Sequence, residues 1–472
     1  MKKAVEGFAL FAIIDNYWPA YSISSVVRNQ LLGLQDIIGP FPFINLNGGE
    51  CPEEFKGERR WVDRMHLEDW FAKPVGHDWE ENATKLVPSM RKALEGVTVL
   101  LVNDVLMQGW YLPYLWALRK VLADRPDLQV YHLIHSGPSP RRELEYPRSL
   151  LYELHEQEVI LYNNASDIPW VQAMYDTPRV LPVRNPVSME DFFDMTPNVL
   201  TIYREMNLED ADIITMYPTR ISEGKQVDKW LGVIAGLKAN GAKVRGIIAN
   251  SYSNTERERK VIQNLVDQAR ADGLVKGKDF CFTSELCDAP IGLDRRDISQ
   301  LNRLCNVFIQ TSLSETCSLI MLEAMACRQI LVLNMDVDCN LSGELMWWGA
   351  VAGRFGGLHR KTEYSPSFSA YCKDLARNIM NRVAESPEQL GFLRALQLHN
   401  RRIYAAVLLN TMGLMRVPPF RRTGILDLPY VRNYQPLNIN HMEKKEGLPE
   451  ETPKEDVPMQ DNVRELGPRD LP

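Results

Sequence analysis

The chain is 472 residues long with a net charge of −7; 45% of its residues are hydrophobic and 24% are charged. This length exceeds what one hydrophobic core serves, so two domains with smaller appendages are expected. The lack of a basic excess argues against nucleic-acid binding as the main activity, although a local basic patch stays open. The eight cysteines show no close metal-type spacing, which is typical of reduced thiols in a cytoplasmic protein.

The N-terminal sequence predicts neither a signal peptide nor a membrane span. Met1, Lys2 and Lys3 lead into a short apolar run, without a long apolar core or a small-residue cleavage site. We therefore expect a cytoplasmic protein, for which peripheral contact with a membrane stays open.

The first half of the chain alternates apolar runs with helical patterns, which favours a parallel α/β sheet. Helices are expected to begin near Ser22, Gly109 and Arg141. The segment around Trp61 and Trp70 lacks sheet periodicity and is a candidate insertion that contacts an acceptor molecule. Strands are predicted at residues 8–14, 97–102, 128–134, 159–162 and 180–182.

His135 follows the predicted strand 128–134 and is the one candidate catalytic residue in this half. A histidine at a strand end is more often structural than catalytic, so the residue alone decides nothing. His132, three residues earlier, is predicted to be its buried neighbour.

A second alternating series starts at Asp212, and its first strand runs into a loop that carries Arg220 and Lys225. Two fixed cations ahead of a helix can stabilise the charge that builds on a departing nucleoside diphosphate, without a metal ion. A solvated basic loop is the alternative. Further strands are predicted at residues 243–248, 279–283, 306–310 and 330–333.

Glu315 and Glu323 bracket a turn and a helix that follow the strand at 306–310. Were both residues helical, their positions would be about 12 Å apart along the axis, which is too far for the two carboxyl groups of a glycosidase. The spacing suits an extended ligand that has hydroxyls at both ends and an anion over the helix N-terminus, as a nucleotide sugar has. The alternative is that Glu315 only stabilises the helix through a favourable interaction with its dipole, and that Glu323 is solvated on the outer face of the helix. The residues expected to form the buried face of this helix are Leu319, Leu322, Met325 and Ala326.

Residues 311–328 resemble the signature of retaining glycosyltransferases of the GT-B fold, specifically glycosyltransferase family 4. Its usual form is Pro-Ser-x-x-Glu-x-Phe-Gly-x-x-x-x-Glu-Ala-Met-Ala-Cys-Gly, and Glu315 and Glu323 occupy its two glutamate positions. The spacing of Arg220 and Lys225 also matches the cations with which the family clamps the diphosphate. The chain departs from the signature at Thr311 in place of proline, at Cys317 and Ser318 in place of Phe-Gly, and at Arg328 in place of the last glycine.

The resemblance implies an α/β protein in which two Rossmann-like, doubly wound domains face each other across a cleft. Catalytic roles would belong to Glu315, His135, Lys225 and Arg220, with His135 lining the sugar pocket from the first domain. Relatives carry a Gly-Gly turn after the first strand, and here Ser22 and Ser24 are weak candidates for that phosphate or acceptor loop. The implied donor-binding residues are Arg220, Lys225, Glu315, Thr316, Cys317, Ser318 and Glu323.

Within that donor site, the resemblance places the diphosphate on Arg220 and Lys225 and the ribose hydroxyls on Glu323. The sugar hydroxyls would meet Glu315 and the amides of residues 316–318. The expected domains are an acceptor domain at 1–195, a donor domain at 196–385, closing helices at 386–432 that return to the first domain, and a disordered acidic tail at 433–472.

The expected reaction moves a sugar from a nucleoside-diphosphate sugar, with UDP or GDP, to an acceptor hydroxyl with retention of configuration. No metal or further cofactor is expected. The acceptor stays open among glycan, lipid, protein, small metabolite and modified DNA base. Two alternatives also stay open: a catalytically weak GT-B-like subunit that binds a nucleotide or partner, and a GT-B sugar-nucleotide epimerase or phosphorylase.

Overall fold

A computed structural model of the chain describes residues 5–14, 22–65, 79–106, 111–135, 153–250, 256–287, 289, 292–315, 318–341 and 349–416. Thr316, Cys317 and Trp70 lie outside the described residues, as do the expected helix starts near Gly109 and Arg141 and the tail at 433–472. These expectations stay predictions.

The first half of the chain forms one seven-stranded sheet in which every neighbouring pair is parallel. Its strands are β1 (Phe8–Ala12), β2 (Phe43–Leu46), β3 (Arg59–Val62), β4 (Val99–Asn103), β5 (Gln129–Ile134), β6 (Glu158–Tyr162) and β7 (Val180–Pro182). Their order in the sheet is β3-β2-β1-β4-β5-β6-β7. The helices of this half are α1 (Ser22–Ile38), α2 (Trp79–Thr84), α3 (Val87–Ala93), α4 (Leu112–Ala123) and α5 (Ile168–Met174).

Strand β1 shows why helices cover both faces of this sheet. Successive side chains of a strand point to opposite faces, and all five residues of β1 are buried. Phe8 and Leu10 belong to the core beneath α1, while Ala9 and Phe11 belong to the core that includes α3 and α4. Apolar runs of this kind are typical of a parallel sheet buried on both sides.

Strands β2 and β3 were not predicted, and the expectation that Trp61 lies in an insertion outside the sheet is wrong, while contact of this segment with an acceptor stays a prediction. Trp61 lies in β3, the edge strand, with 39% of its surface exposed. Only Val62 of the four β3 residues is buried, so the strand shows no apolar alternation in the sequence. Pairing with β2 rather than its own pattern defines this strand.

The second half contains two three-stranded parallel sheets whose first strands are adjacent. Their strands are β8 (Ile213–Pro218), β9 (Val244–Ala249), β10 (Phe280–Phe282), β11 (Val307–Ile309), β12 (Ile330–Asn334) and β13 (Val351–Gly353). Asn306, just before β11, joins the two sheets. Its backbone N–H donates to Ile214 O at 3.0 Å, and its side-chain Oδ1 accepts from Ile214 N at 2.9 Å. The resulting order is β10-β9-β8-β11-β12-β13.

Both halves therefore contain the strand order 3-2-1-4-5-6 of a Rossmann sheet, to which the first half adds β7 as a seventh strand at its edge. The predicted fold class, α/β with two Rossmann-like doubly wound domains, is confirmed. The helices that follow β7 are α6 (Met189–Phe192), α7 (Pro197–Glu205), α8 (Val227–Ala239), α9 (Glu256–Ala271), α10 (Thr283–Leu286), α11 (Arg295–Leu304), α12 (Leu319–Ala326), α13 (Phe368–Ala384), α14 (Pro387–Leu398) and α15 (Arg401–Thr411).

Helix α15, the last one within the described residues, packs against α1, which covers the first sheet. Tyr404 and Leu408 lie in the same core as β1, and the Tyr404 hydroxyl accepts a hydrogen bond from Gln30 Nε2 at 3.0 Å. The segment before α15 runs beside the segment after β7, where Val187 N donates to His399 O at 2.6 Å. Within the described residues, the chain thus crosses between the two halves twice, along neighbouring segments.

The predicted buried face of α12 is wrong at three of its four positions, because Leu319, Leu322 and Ala326 are exposed. Leu319 and Leu322 are 68% and 44% exposed, whereas Met321 and Ala324 are buried against β12. The segment is apolar almost all round, with Glu323 its one charged residue, so the sequence held no polar side to fix the rotation of the helix.

Arg328, at the position of the last glycine of the family signature, has a backbone conformation that favours glycine. The helix ends at Cys327, and Arg328 has a φ of 59°, in the left-handed region that favours glycine. Gln389 Nε2 donates to Arg328 O at 2.7 Å and so helps hold this turn.

Candidate functional site

The loops after β8 and β11 lie next to each other. Strands β8 and β11 are where the two three-stranded sheets of the second half meet, which we call together the second sheet, and the strand order reverses between them. Ligands of doubly wound sheets bind at this position, beyond the carboxyl ends of the strands. Tyr217, at the end of β8, bridges the two loops: its hydroxyl donates to Lys225 O at 2.8 Å and lies 2.9 Å from Ser312 Oγ. The fold therefore brings the two predicted motifs together.

Thr311 is part of the same junction. Its side chain is fully buried, and its hydroxyl lies 3.1 Å from both Lys225 O and Gln226 O. Leu313 N also donates to Gly224 O at 2.8 Å. The departure from proline at position 311 thus supplies a hydroxyl that a proline ring lacks, and this hydroxyl holds the Lys225 loop in place.

Lys225 and Glu315 form an ion pair between the two loops, with Nζ 2.5 Å from Oε1. Their side chains are 34% and 19% exposed, so both groups are partly open to solvent. Arg220, on the Lys225 loop, is exposed and forms no ion pair with any other described residue. Two cations and a carboxylate at one strand edge can bind an anion and hydroxyl groups side by side.

Glu323 has other partners than the sequence suggested. Its Oε1 lies 2.5 Å from Arg295 Nη2, and its Oε2 lies 3.5 Å from Asn302 Nδ2, both on α11. Ser318 is the N-cap of α12, where its Oγ accepts from Met321 N at 3.3 Å. Its hydroxyl is therefore committed to the helix, whose N-terminus follows Glu315 closely in the chain.

Asn334 and Asp336, at the end of β12, support the site and were missed in the sequence. Asn334 Nδ2 donates to Ser312 O at 3.0 Å and to Gly356 O at 2.8 Å, while Asp336 Oδ2 accepts from Gly356 N at 2.8 Å. Both residues are buried. Their place directly after a strand was the available signal, since polar residues there meet the carboxyl edge of the sheet.

His135 lies at the carboxyl edge of the first sheet, among side chains that follow the neighbouring strands. Its Nε2 is 2.8 Å from Asn103 Oδ1, and its Nδ1 is 3.2 Å from both Asn163 Nδ2 and Asn185 Oδ1. The backbone N–H of His135 donates to Asp104 Oδ1 at 3.1 Å. We call these five residues the His135 cluster; its asparagines were missed because they are far apart in the sequence.

Burial lowers the pKa of His135, and the opposing charge of Asp104 and the hydrogen bond with Asn185 do not offset this effect. The imidazole is therefore neutral at pH 7. His132, the predicted buried neighbour, is buried and belongs to a separate ionic network: its Nε2 lies 3.0 Å from Glu158 Oε1, and Arg119 Nη2 lies 3.0 Å from Glu158 Oε2.

Burial alone would raise the pKa of Glu158, but its hydrogen bonds and ion pairs with His132 and Arg119 lower that pKa to about 2. This network lies at the start of β6, so it stabilises the sheet away from the carboxyl edge.

The two serines proposed for a phosphate or acceptor loop begin α1. Ser22 is exposed, whereas Ser24 is 1% exposed and its hydroxyl has no hydrogen-bond partner among the described residues. Within the same residues, no group of three or more His, Cys, Asp and Glu side chains could hold a metal ion. No helix in the part of the chain that the structure describes is long and apolar enough to cross a membrane.

No family model matches the sequence, and no curated protein matches it. Three solved structures resemble the chain at low similarity: a glycosyltransferase from Rickettsia africae (12% identity, 87% of this chain and 99% of that chain, TM-score 0.33), Anabaena HepE in complex with UDP (12%, 86% and 100%, 0.30) and a UDP-forming trehalose-phosphate synthase from Burkholderia xenovorans (11%, 86% and 98%, 0.34). At these values no property is carried over to this chain. The assignment of two Rossmann-like sheets depends only on the strand order of this chain.

Proposed function

We propose that the chain is a retaining glycosyltransferase of the GT-B type, related to family 4, which moves a sugar from a nucleoside-diphosphate sugar to an acceptor hydroxyl. The observation that carries this proposal is the Lys225–Glu315 ion pair at the reversal point of the second Rossmann sheet. It joins a loop that follows β8 to a loop that follows β11, and both loops carry the family motifs.

The ion pair indicates how such a donor would be held. Lys225 and Arg220, which forms no ion pair among the described residues, would take the diphosphate, because two cations stabilise the charge that grows on the leaving oxygen. Glu315, released from Lys225, would accept hydrogen bonds from the sugar hydroxyls. Glu323 could bind the ribose hydroxyls only if its ion pair with Arg295 broke or if one carboxylate oxygen served both partners. Of the proposed donor contacts, this one therefore requires the largest rearrangement.

In the proposed reaction, the bond from the anomeric carbon to the diphosphate oxygen breaks, and the acceptor oxygen bonds to that carbon on the same face. The leaving phosphate oxygen takes the acceptor's proton, so the step requires no protein nucleophile and no metal ion. We propose UDP or GDP as the nucleotide, a cytoplasmic location, and the division into domains at 1–195, 196–385 and 386–432.

The test is release of UDP or GDP from a panel of nucleotide sugars, with and without acceptor mixtures and with and without a chelator. Glu315→Gln should lower release at least 100-fold, and Lys225→Met and Arg220→Met should each weaken UDP or GDP binding at least tenfold. Lys276→Met is the matched control, because Lys276 forms a surface ion pair with Glu285 at 3.0 Å away from the motifs. The control should behave as the parent does.

If Glu315→Gln and Lys225→Met both kept release within a few-fold of the parent, the proposal would fail. Tight nucleotide binding without release across the panel would favour the non-catalytic subunit. An anomeric assignment of the product by NMR tests retention, and loss of release with the chelator would contradict metal independence.

A further inference from the structure

Both glutamates of the signature are paired with a cation. Lys225 Nζ lies 2.5 Å from Glu315 Oε1, and Arg295 Nη2 lies 2.5 Å from Glu323 Oε1. The second carboxylate oxygen of Glu323 lies 3.5 Å from Asn302 Nδ2, so both of its oxygens contact groups of α11. The Glu323 side chain is nevertheless 21% exposed, so a ligand can reach its carboxylate from solvent.

The two ion pairs differ in what donor binding would do to their cations. In the proposed reaction, Lys225 leaves Glu315 and binds the diphosphate, so this cation exchanges one anion for another. Arg295 lies outside both motifs, at the first position of α11, and the proposed donor contacts give it no group to bind. A ribose that took both oxygens of Glu323 would therefore leave this guanidinium without its carboxylate.

Arg295 occupies a position at which a cation does not stabilise its own helix. It follows the N-cap of α11, Asp294, and a cation in the first turn lies near the positive end of the helix dipole. The side chain is also 76% exposed, so it buries little apolar surface. Replacing Arg295 should therefore leave the fold intact and free the carboxylate of Glu323.

The exposure of this ion pair sets the size of its effect on a ligand. Breaking an ion pair between exposed groups changes an equilibrium by about 1.5- to 5-fold. The two hydroxyls of a ribose can each donate to a carboxylate oxygen, and hydrogen bonds to a charged group are the stronger kind. The contact between Arg295 and Glu323 therefore weakens the binding of a ribose without preventing it.

We propose that Arg295 competes with the ribose of the donor nucleotide for the carboxylate of Glu323, and so lowers the affinity of the site for nucleotides. The inference rests on the proposed function and adds a residue that neither motif contains. Because the donor and the released nucleoside diphosphate carry the same ribose, Arg295 weakens the binding of both.

The test compares Arg295→Gln with the parent, and Arg296→Gln is the matched control. Arg296 is the next residue of α11, is 63% exposed and pairs with Asp194 at 2.5 Å, so its replacement removes the same charge without freeing Glu323. Dissociation constants are measured by calorimetry for UDP, GDP and the dideoxyribose forms of both. The dideoxyribose forms carry the same charge but lack the two hydroxyls that Glu323 would bind.

Arg295→Gln should bind UDP or GDP about 1.5- to 5-fold more tightly than the parent does, and this gain should shrink as salt is added, since salt screens an exposed ion pair. The dideoxyribose nucleotides should bind equally well to the variant and to the parent. Arg296→Gln should bind all four nucleotides as the parent does.

Three results would overturn the inference. One is an Arg295→Gln variant that binds UDP and GDP as the parent does or more weakly, which would mean that the guanidinium does not compete or that it contacts the nucleotide. Another is an equal gain for the dideoxyribose forms, which would mean that the ribose does not bind Glu323. The third is a set of proteins that all bind no nucleotide, which would overturn the proposed function as well.

The inference and the proposed function fail separately in two other cases. Release of UDP or GDP from a sugar donor, together with either of the first two results, would keep the proposed function and reject only the role of Arg295. A gain that depends on the ribose, in a chain that releases nothing across the panel of nucleotide sugars, would keep the inference and overturn the proposed transfer.

Discussion

Replacing Gly33 by alanine tests how closely α15 packs against α1. An added Cβ at Gly33 would lie 2.5 Å from the carbonyl oxygen of Arg401, whereas ordinary contacts begin at 3.4 Å. Helix α15 must therefore shift by about 0.9 Å, and overpacking of this kind costs about 1–3 kcal/mol. Alanine returns about 1 kcal/mol through its higher helix propensity. We expect the free energy of unfolding to fall by about 1 kcal/mol.

Gly391→Ala in α14 is the matched control, because a Cβ there meets nothing within 4 Å. This variant should gain about 1 kcal/mol from helix propensity alone. Urea unfolding of the parent and both variants, followed by circular dichroism, gives the comparison. A Gly33→Ala variant as stable as Gly391→Ala would refute the close contact between α1 and α15.

The remaining predictions concern stability. Arg328→Gly should raise the unfolding free energy by about 1 kcal/mol in urea titrations, because it relieves a left-handed backbone; an unchanged midpoint would contradict this. Thr311→Val should lower it by about 1–2 kcal/mol, and a neutral result would mean that its hydroxyl does not hold the loop. Glu158→Gln should cost about 3–5 kcal/mol at pH 7, since it leaves Arg119 buried without its carboxylate. The parent should lose the Glu158 contribution as the pH falls from 4.5 towards about 2, a loss that thermal melts of the variant should lack. Because the folded chain holds the His135 proton less tightly than the unfolded chain does, stability should decline below about pH 6.5, and His135→Asn melts without this decline would agree.

The sequence predicted the elements whose patterns are local. The strands β7 and β12 and the start of α1 at Ser22 follow from apolar runs and polar boundaries, and the fold class follows from their alternation. Strand β3 has one buried residue out of four, so its place in the sheet depends on β2, which no local pattern reveals. The rotation of α12 was wrong because apolar residues surround the helix and only its packing on β12 decides which of them are buried.

The candidate site was predictable where a motif is continuous in the sequence. Arg220, Lys225 and Glu315 came from two short segments, and the fold joins Lys225 to Glu315 across 90 residues. The asparagines of the His135 cluster could not be found in this way, because Asn103 ends β4 while Asn163 and Asn185 follow β6 and β7, and only the order of the parallel strands brings them together. The pairing of Glu323 with Arg295 likewise depends on how α11 and α12 pack.

The position of α15 has a consequence for synthesis of the chain. Tyr404, Leu408 and Met412 complete the core on the α1 face of the first sheet, yet they are made after the whole second sheet. Until the ribosome has passed residue 412, Phe8 and Leu10 lack part of their covering, and a fragment that ends at residue 195 would never acquire it. Fusing residues 399–416 to such a fragment should restore that face, because this core of the first sheet is built from two segments that are far apart in the chain.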